Sequence, residues 1–234
     1  MVDAYAAARD FVRRSYPHAR IAFLGGSAAS GTTTSTSDLD IFVVLDDEGD
    51  VSYVETTTHE GWLVEAFVYS PDAVQRWLQK GRDERRPVLD ALAATGLALT
   101  DNDETQAWAE RARAVLAAGP GEPDPEEVDV RRYTLSALVD DLEGADPGER
   151  YVIAATAFRE AAELTLLVQR RWLGSGKWLV RNLRSADDHG LVAWAAGVHD
   201  PAELAAICRA VLTAAGGYLQ SGFVRGERPR PPST

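Results

Sequence analysis

The stretch "AAGPGEPDPEEVD", residues 117–129, separates two halves of the chain that obey different periodicities. Glycine, proline and acid crowd together there, a composition that suits neither a helix interior nor a central strand. On its N-terminal side, short apolar runs bounded by turn residues alternate with helical patterns. On its C-terminal side every convincing apolar pattern recurs at three- and four-residue spacing, the mark of amphipathic helices. The expectation is an α/β (α+β) chain: an N-terminal mixed sheet flanked by helices over residues 1–118, a linker over 119–129, an all-α bundle over 130–224, and a tail, 225–234, whose "RGERPRPPST" predicts disorder. With 234 residues, 45% of them hydrophobic, there is ample material for packed cores.

Within the first half the pattern predicts a helix over 3–15 and strands at "RIAFLG" (20–25), "LDIFVVL" (39–45), "VSYVETT" (51–57) and "WLVEAFVYS" (62–70), with "HEG" as the turn between the last two. Helical segments follow from Pro71, which suits a first-turn position, and "GLALTD" reads as a short last strand before a helix over 103–118. The second half predicts helices over 126–144, 149–173, 176–184, 187–196 and 201–221.

The chemistry concentrates in "GGSAASGTTTSTSDLDIFVV", residues 25–44. Asp38 and Asp40 are two apart at the mouth of a strand, so alternation points both carboxylates to one side of the sheet. Like charges that close repel unless a cation neutralises them or one acid keeps its proton. A hard divalent ion, held through carboxylates and substrate phosphates, is the usual solution. Just upstream, Gly25-Gly26-Ser27 ends a strand and offers backbone N–H groups and a hydroxyl suited to anionic oxygens. Glu65 lies inside an otherwise apolar strand, where an isolated buried carboxylate is costly. If that strand neighbours the Asp38/Asp40 strand, Glu65 completes an acidic triad or serves as general base toward an attacking hydroxyl.

Charge narrows the partners. A net charge of -12 and a pI near 4.8 repel phosphate backbones, which disfavours long nucleic acid and favours small or cationic ligands. The apolar runs are too short to cross a bilayer, and the first residues read as an amphipathic helix rather than a signal peptide. The lone cysteine, Cys208, falls in an apolar helical pattern and reads as a buried spectator thiol; a cytoplasmic location is the expectation.

The pattern Gly26-Ser27, ten residues, Asp38-Leu39-Asp40 and a later strand acid resembles the DNA polymerase β-like nucleotidyltransferase superfamily. The resemblance implies Mg2+-dependent transfer of a nucleoside monophosphate, AMP from ATP, to a hydroxyl, with release of pyrophosphate. Gly26 and Ser27 would hold the triphosphate, Asp38 and Asp40 would ligate one or two Mg2+ ions, and Glu65 would be the third acid. The linker and helical half resemble antibiotic nucleotidyltransferases that modify aminoglycosides or lincosamides, so a small hydroxylated acceptor of aminoglycoside type, and with it antibiotic resistance, is the expectation. A homodimer stays open, since helical domains of this kind can meet a partner subunit's nucleotide site. Lys177, beside Trp178 at a helix start, is a candidate second grip on the triphosphate. Glu160 and Glu163, three apart so that at least one falls near the apolar face of its helix, are candidates for binding an amino-sugar or serving as an extra base, against an ordinary salt bridge to Arg159 or a boundary position. Arg184 and His189 match an R-x4-H spacing found in helical ribonuclease domains, although Asp187 and Asp188 between them would repel RNA. Two other readings are a protein-AMPylating antitoxin and a non-catalytic nucleotide-binding module.

Overall fold

The computed structural model describes residues 3–46, 49–197 and 199–226, so most of the expected tail lies outside the described residues. The chain divides into two compact units, Met1–Gly119 and Pro120–Thr234.

The first unit runs α1 (Ala4–Ser15), β1 (Ala19–Leu24), α2 (Gly26–Ala29), β2 (Leu39–Leu45), β3 (Ser52–His59), β4 (Trp62–Tyr69), α3 (Pro71–Asp83), α4 (Val88–Thr95), β5 (Leu97–Ala98) and α5 (Asp103–Ala118). The five strands form one sheet in the order β3-β4-β2-β1-β5. Only β2 and β4 pair in parallel; the other three pairings are antiparallel. The β3–β4 hairpin turns on Glu60 and Gly61, both at positive φ (50° and 83°), as a two-residue turn matching the strand twist requires.

Beyond Asp40, strand β2 reads as an unbroken apolar run because both sheet faces are covered. Leu39, Ile41, Val43 and Leu45 pack with Ala7, Ala8, Phe11 and Val12 of α1. Phe42 and Val44 face the other way, into a core with Val74 and Leu78 of α3, Leu89 and Leu92 of α4, and Ala109 and Ala112 of α5. Both faces therefore clamp the strand that carries Asp40.

The second unit is helical throughout its described residues: α6 (Pro125–Gly144), α7 (Arg150–Val168), α8 (Lys177–Leu183), α9 (Leu191–Ala196) and α10 (Pro201–Ala214). Its core gathers Leu135 and Val139 of α6, Leu164 and Leu166 of α7, Leu183, Leu191, and Leu204, Cys208 and Val211 of α10. Several boundaries differ from expectation for local reasons. The linker is shorter than 119–129 because Asp124 caps α6, accepting from the Glu126 amide at 2.9 Å, and Pro125 fills the first helical turn. Helix α9 starts at Leu191 instead of 187, since Gly190 turns left-handed (φ 101°) and Asp188 accepts its amide at 2.7 Å. Helix α10 ends at Ala214, before Gly216 and Gly217 at φ 110° and 96°. Among the described residues, no helix is long and apolar enough to cross a membrane.

Candidate metal and nucleotide site

Asp40 precedes Phe42 and Val44 by two and four positions on β2, so it shares their sheet face. Glu65 precedes Phe67 and Tyr69 in the same way on β4. The parallel register sets Asp40 directly beside Glu65, and Asp38 enters from the residue just before β2. One carboxylate oxygen from each of Asp38, Asp40 and Glu65 lies within 4.8 Å of the other two, and all three residues are half-buried. Sheet pairing thus sets Asp40 against Glu65, and Asp38 joins them from just outside the strand, so three acids crowd where mutual repulsion would separate them.

Strand β1 brings the glycines to the same place. The Gly25 amide donates to the Asp40 carbonyl at 2.8 Å. Gly26 holds φ 65°, and a Cβ added there would overlap Asp40 Oδ2. Its glycine identity therefore meets two demands at once, a left-handed turn and a backbone pressed against a carboxylate. Ser27 follows in the four-residue helix α2 and donates its hydroxyl to Ser37 Oγ at 3.1 Å. The donor set at the acid cluster is all oxygen, half-buried and triply anionic, which fits Mg2+ or Mn2+ and does not fit softer metals that prefer thiolate or imidazole.

The remaining candidates belong to the second unit. Lys177 occupies the first turn of α8 and is exposed; its neighbour Trp178, 48% exposed, carries the Arg181 guanidinium over its ring at 4.6 Å. Glu160 and Glu163 are held by arginine, Glu160 by Arg131 and not by the expected Arg159. Arg131 reaches Glu160 and Glu163, each at 2.9 Å, and Arg159 reaches Glu163 at 3.1 Å. Glu163 is buried, with ion pairs to both its oxygens, and offers no open acid to a ligand. Burial pushes the Glu160 carboxyl above its ordinary range, with Arg131 partly opposing. Arg184 ends α8 exposed, and His189 sits in a left-handed turn (φ 53°). Asp187 there is bound through its backbone to Gln169, at 3.0 and 2.8 Å.

Two contributors escaped the sequence reading. The sequence reading offers the Gly25 N–H to anionic oxygens, whereas that amide donates to the Asp40 carbonyl and fixes the Asp40 backbone. Ser37 was passed over among many hydroxyls, although its place immediately before Asp38 was the available signal. A second cluster, Asp10, His59 and Glu60, also converges within 4.8 Å. There Arg13 and Arg14 already engage Asp10, at 2.5 and 2.8 Å, and hold its carboxyl below the usual range.

Comparison with known proteins bears on the first unit. Residues 6–90 match the family described as nucleotidyltransferase domain. Among solved structures, the chain is similar to a nucleotidyltransferase-like protein from Exiguobacterium sibiricum 255-15, at 13% identity and a TM-score of 0.46, covering 90% of this chain and 73% of that one. That likeness is too remote to bear on the site. No curated protein gives a significant match. Asp38, Asp40, Glu65, Gly26 and Ser27 all fall inside the matched residues, and residues 6–90 carry a nucleotidyltransferase domain of the DNA polymerase β-like superfamily.

Proposed function

We propose that the protein is a divalent-metal-dependent nucleotidyltransferase that moves AMP from ATP to a hydroxyl of a small cationic acceptor, of which an aminoglycoside is the best representative. The observation that carries the reading is the convergence of Asp38, Asp40 and Glu65 within 4.8 Å inside the residues that match the family. Asp38, Asp40 and Glu65 would hold Mg2+, which when bound supplies charge neutralisation for the triphosphate. Gly26, with no side chain to obstruct approach, and the Ser27 hydroxyl would face phosphate oxygens. Glu65 would accept the proton of the acceptor hydroxyl as its oxygen bonds to the α-phosphorus. The bond from that phosphorus to the bridging oxygen breaks, and pyrophosphate leaves with the electron pair. A positively charged acceptor suits a chain of net charge -12, which concentrates cations near its surface.

The test is incubation with Mg2+, each labelled NTP, and a panel of aminoglycosides and lincosamides, read by product mass. Gain of one nucleoside monophosphate on a panel member, with stoichiometric pyrophosphate, is the expected result. Label appearing only on protein would replace the small acceptor with a polypeptide one. Tight NTP binding with no pyrophosphate from any mixture would overturn catalysis altogether.

A further inference from the structure

The loop between α2 and β2 is polar and largely unsupported: residues 31–36, Gly-Thr-Thr-Thr-Ser-Thr, are all exposed. Such a segment has no apolar anchor to fix where it ends. Its end matters, because the next half-buried residues are Ser37 and Asp38.

Ser37 supplies the anchor by hydrogen bonding. Its Oγ accepts from Ser27 Oγ at 3.1 Å and from the Thr34 amide at 2.8 Å, and it lies 3.3 Å from Thr34 Oγ1. The Ser37 amide in turn donates to the Thr34 carbonyl at 3.1 Å. A hydroxyl has one proton and two accepting lone pairs, so three partners use its full capacity. One oxygen atom thereby ties the start of the loop, at Ser27, to its end.

We propose that Ser37 is a positioning residue for the acid cluster: by closing the loop 27–37 on its hydroxyl, it delivers Asp38 to Asp40 and Glu65. The proposal rests on the nucleotidyltransferase reading above. It has a second consequence, because the single Ser27 proton is donated to Ser37. A phosphate oxygen arriving at Ser27 competes with Ser37 for that proton, so nucleotide binding and the placement of Asp38 are coupled through one hydrogen bond.

The test needs no acceptor and no turnover. Mn2+ binding to the full chain is followed by electron paramagnetic resonance, without nucleotide, for wild type, Ser37→Ala, Ser37→Thr and Ser30→Ala. Ser30 lies in the same loop but bonds to the Ser27 carbonyl and Thr32, not to Ser37. Loss of the Ser37 hydroxyl should weaken Mn2+ binding about five- to tenfold, the effect of one or two hydrogen bonds. Ser37→Thr, which keeps the hydroxyl, should recover most of it, and Ser30→Ala should bind as wild type does. Wild-type affinity in Ser37→Ala overturns the proposal alone, as does equal weakening in Ser37→Ala and Ser30→Ala, which would mean general loosening of the loop. A wild-type protein that binds no Mn2+ overturns the metal site and this proposal together. Should Ser37→Ala not fold, Ser37→Cys, close in shape but a weaker hydrogen-bonding partner, takes its place with the same two outcomes.

Discussion

Asp38, Asp40 and Glu65 converge within 4.8 Å, Asp40 and Glu65 by strand pairing and Asp38 from the residue just before β2, so their mutual repulsion is a standing cost that the fold absorbs. Removing one charge should therefore separate activity from stability. Asp38→Asn or Asp40→Asn is expected to abolish nucleotidyl transfer while the melting temperature stays level or rises; undiminished turnover in either variant would remove both from the site. Gly26→Ala makes the opposite trade. A Cβ at φ 65° and against Asp40 Oδ2 must displace that carboxylate or the turn, so both stability and transfer should fall, the former by about 1 kcal/mol or more. An alanine variant with wild-type melting and rate would show the close approach to be unimportant. Glu65→Gln separates two roles. A ligand role predicts weakened metal binding that excess Mn2+ restores. A base role predicts a deficit of about 10^2- to 10^4-fold that added metal leaves in place. We expect the second, alone or combined with the first, since a hydroxyl near neutral pH is a poor nucleophile until its proton is taken, and full rate recovery in Mn2+ would reverse that assignment.

Among the elements, strands were legible where burial wrote itself into the alternation. The limits of β2, Leu39–Leu45, follow from "LDIFVVL" because both faces of that strand are covered, and β4 follows because Glu65 alone interrupts an apolar run. The parallel pairing of β2 with β4, which sets Asp40 beside Glu65, was not legible. A buried strand has the same apolar pattern whichever neighbour it takes. Nor was the contact of Gly26 with Asp40, since a glycine needed for a turn and one needed for close approach look alike in sequence. On α7 the periodicity puts at least one of Glu160 and Glu163 near the apolar face but could not show Arg131 arriving from α6. That pair has a pH signature. Burial raises the Glu160 carboxyl above 4.5, with Arg131 only partly opposing. A raised acid binds its proton more tightly in the folded state, so its stabilisation is complete at low pH and lost as pH rises through the folded value. Glu160→Gln, which cannot ionise, should therefore gain stability relative to wild type as pH rises above the ordinary carboxylate range. Urea unfolding at several pH values measures this, and a difference independent of pH would mean that Arg131 fully compensates the burial.

At the scale of the molecule, each unit has a core of its own: Phe42 belongs to the core under α3–α5 in the first, and Cys208 to the helical core of the second. The break at residues 117–129 made that division readable, because the hydrophobic periodicity changes across it. Separate cores predict separate unfolding, and the chain carries a reporter for one side of the division. Cys208 is the sole cysteine and is fully buried, and burial pushes its thiol up to about 12, so it should resist thiol reagents until the second unit opens. Phe42→Ala removes a ring that packs against Phe23, Tyr69 and Trp108 in the first unit, a loss of about 3–5 kcal/mol. Hydrogen exchange in peptides covering β2 should then accelerate and shift to lower urea, while the urea dependence of Cys208 labelling stays where it is in wild type. Equal displacement of both transitions would show that the two cores unfold as one cooperative body. In that case losses of activity from core substitutions in the second unit could not be read as effects on the acceptor, because they would reach Asp38, Asp40 and Glu65 through global stability.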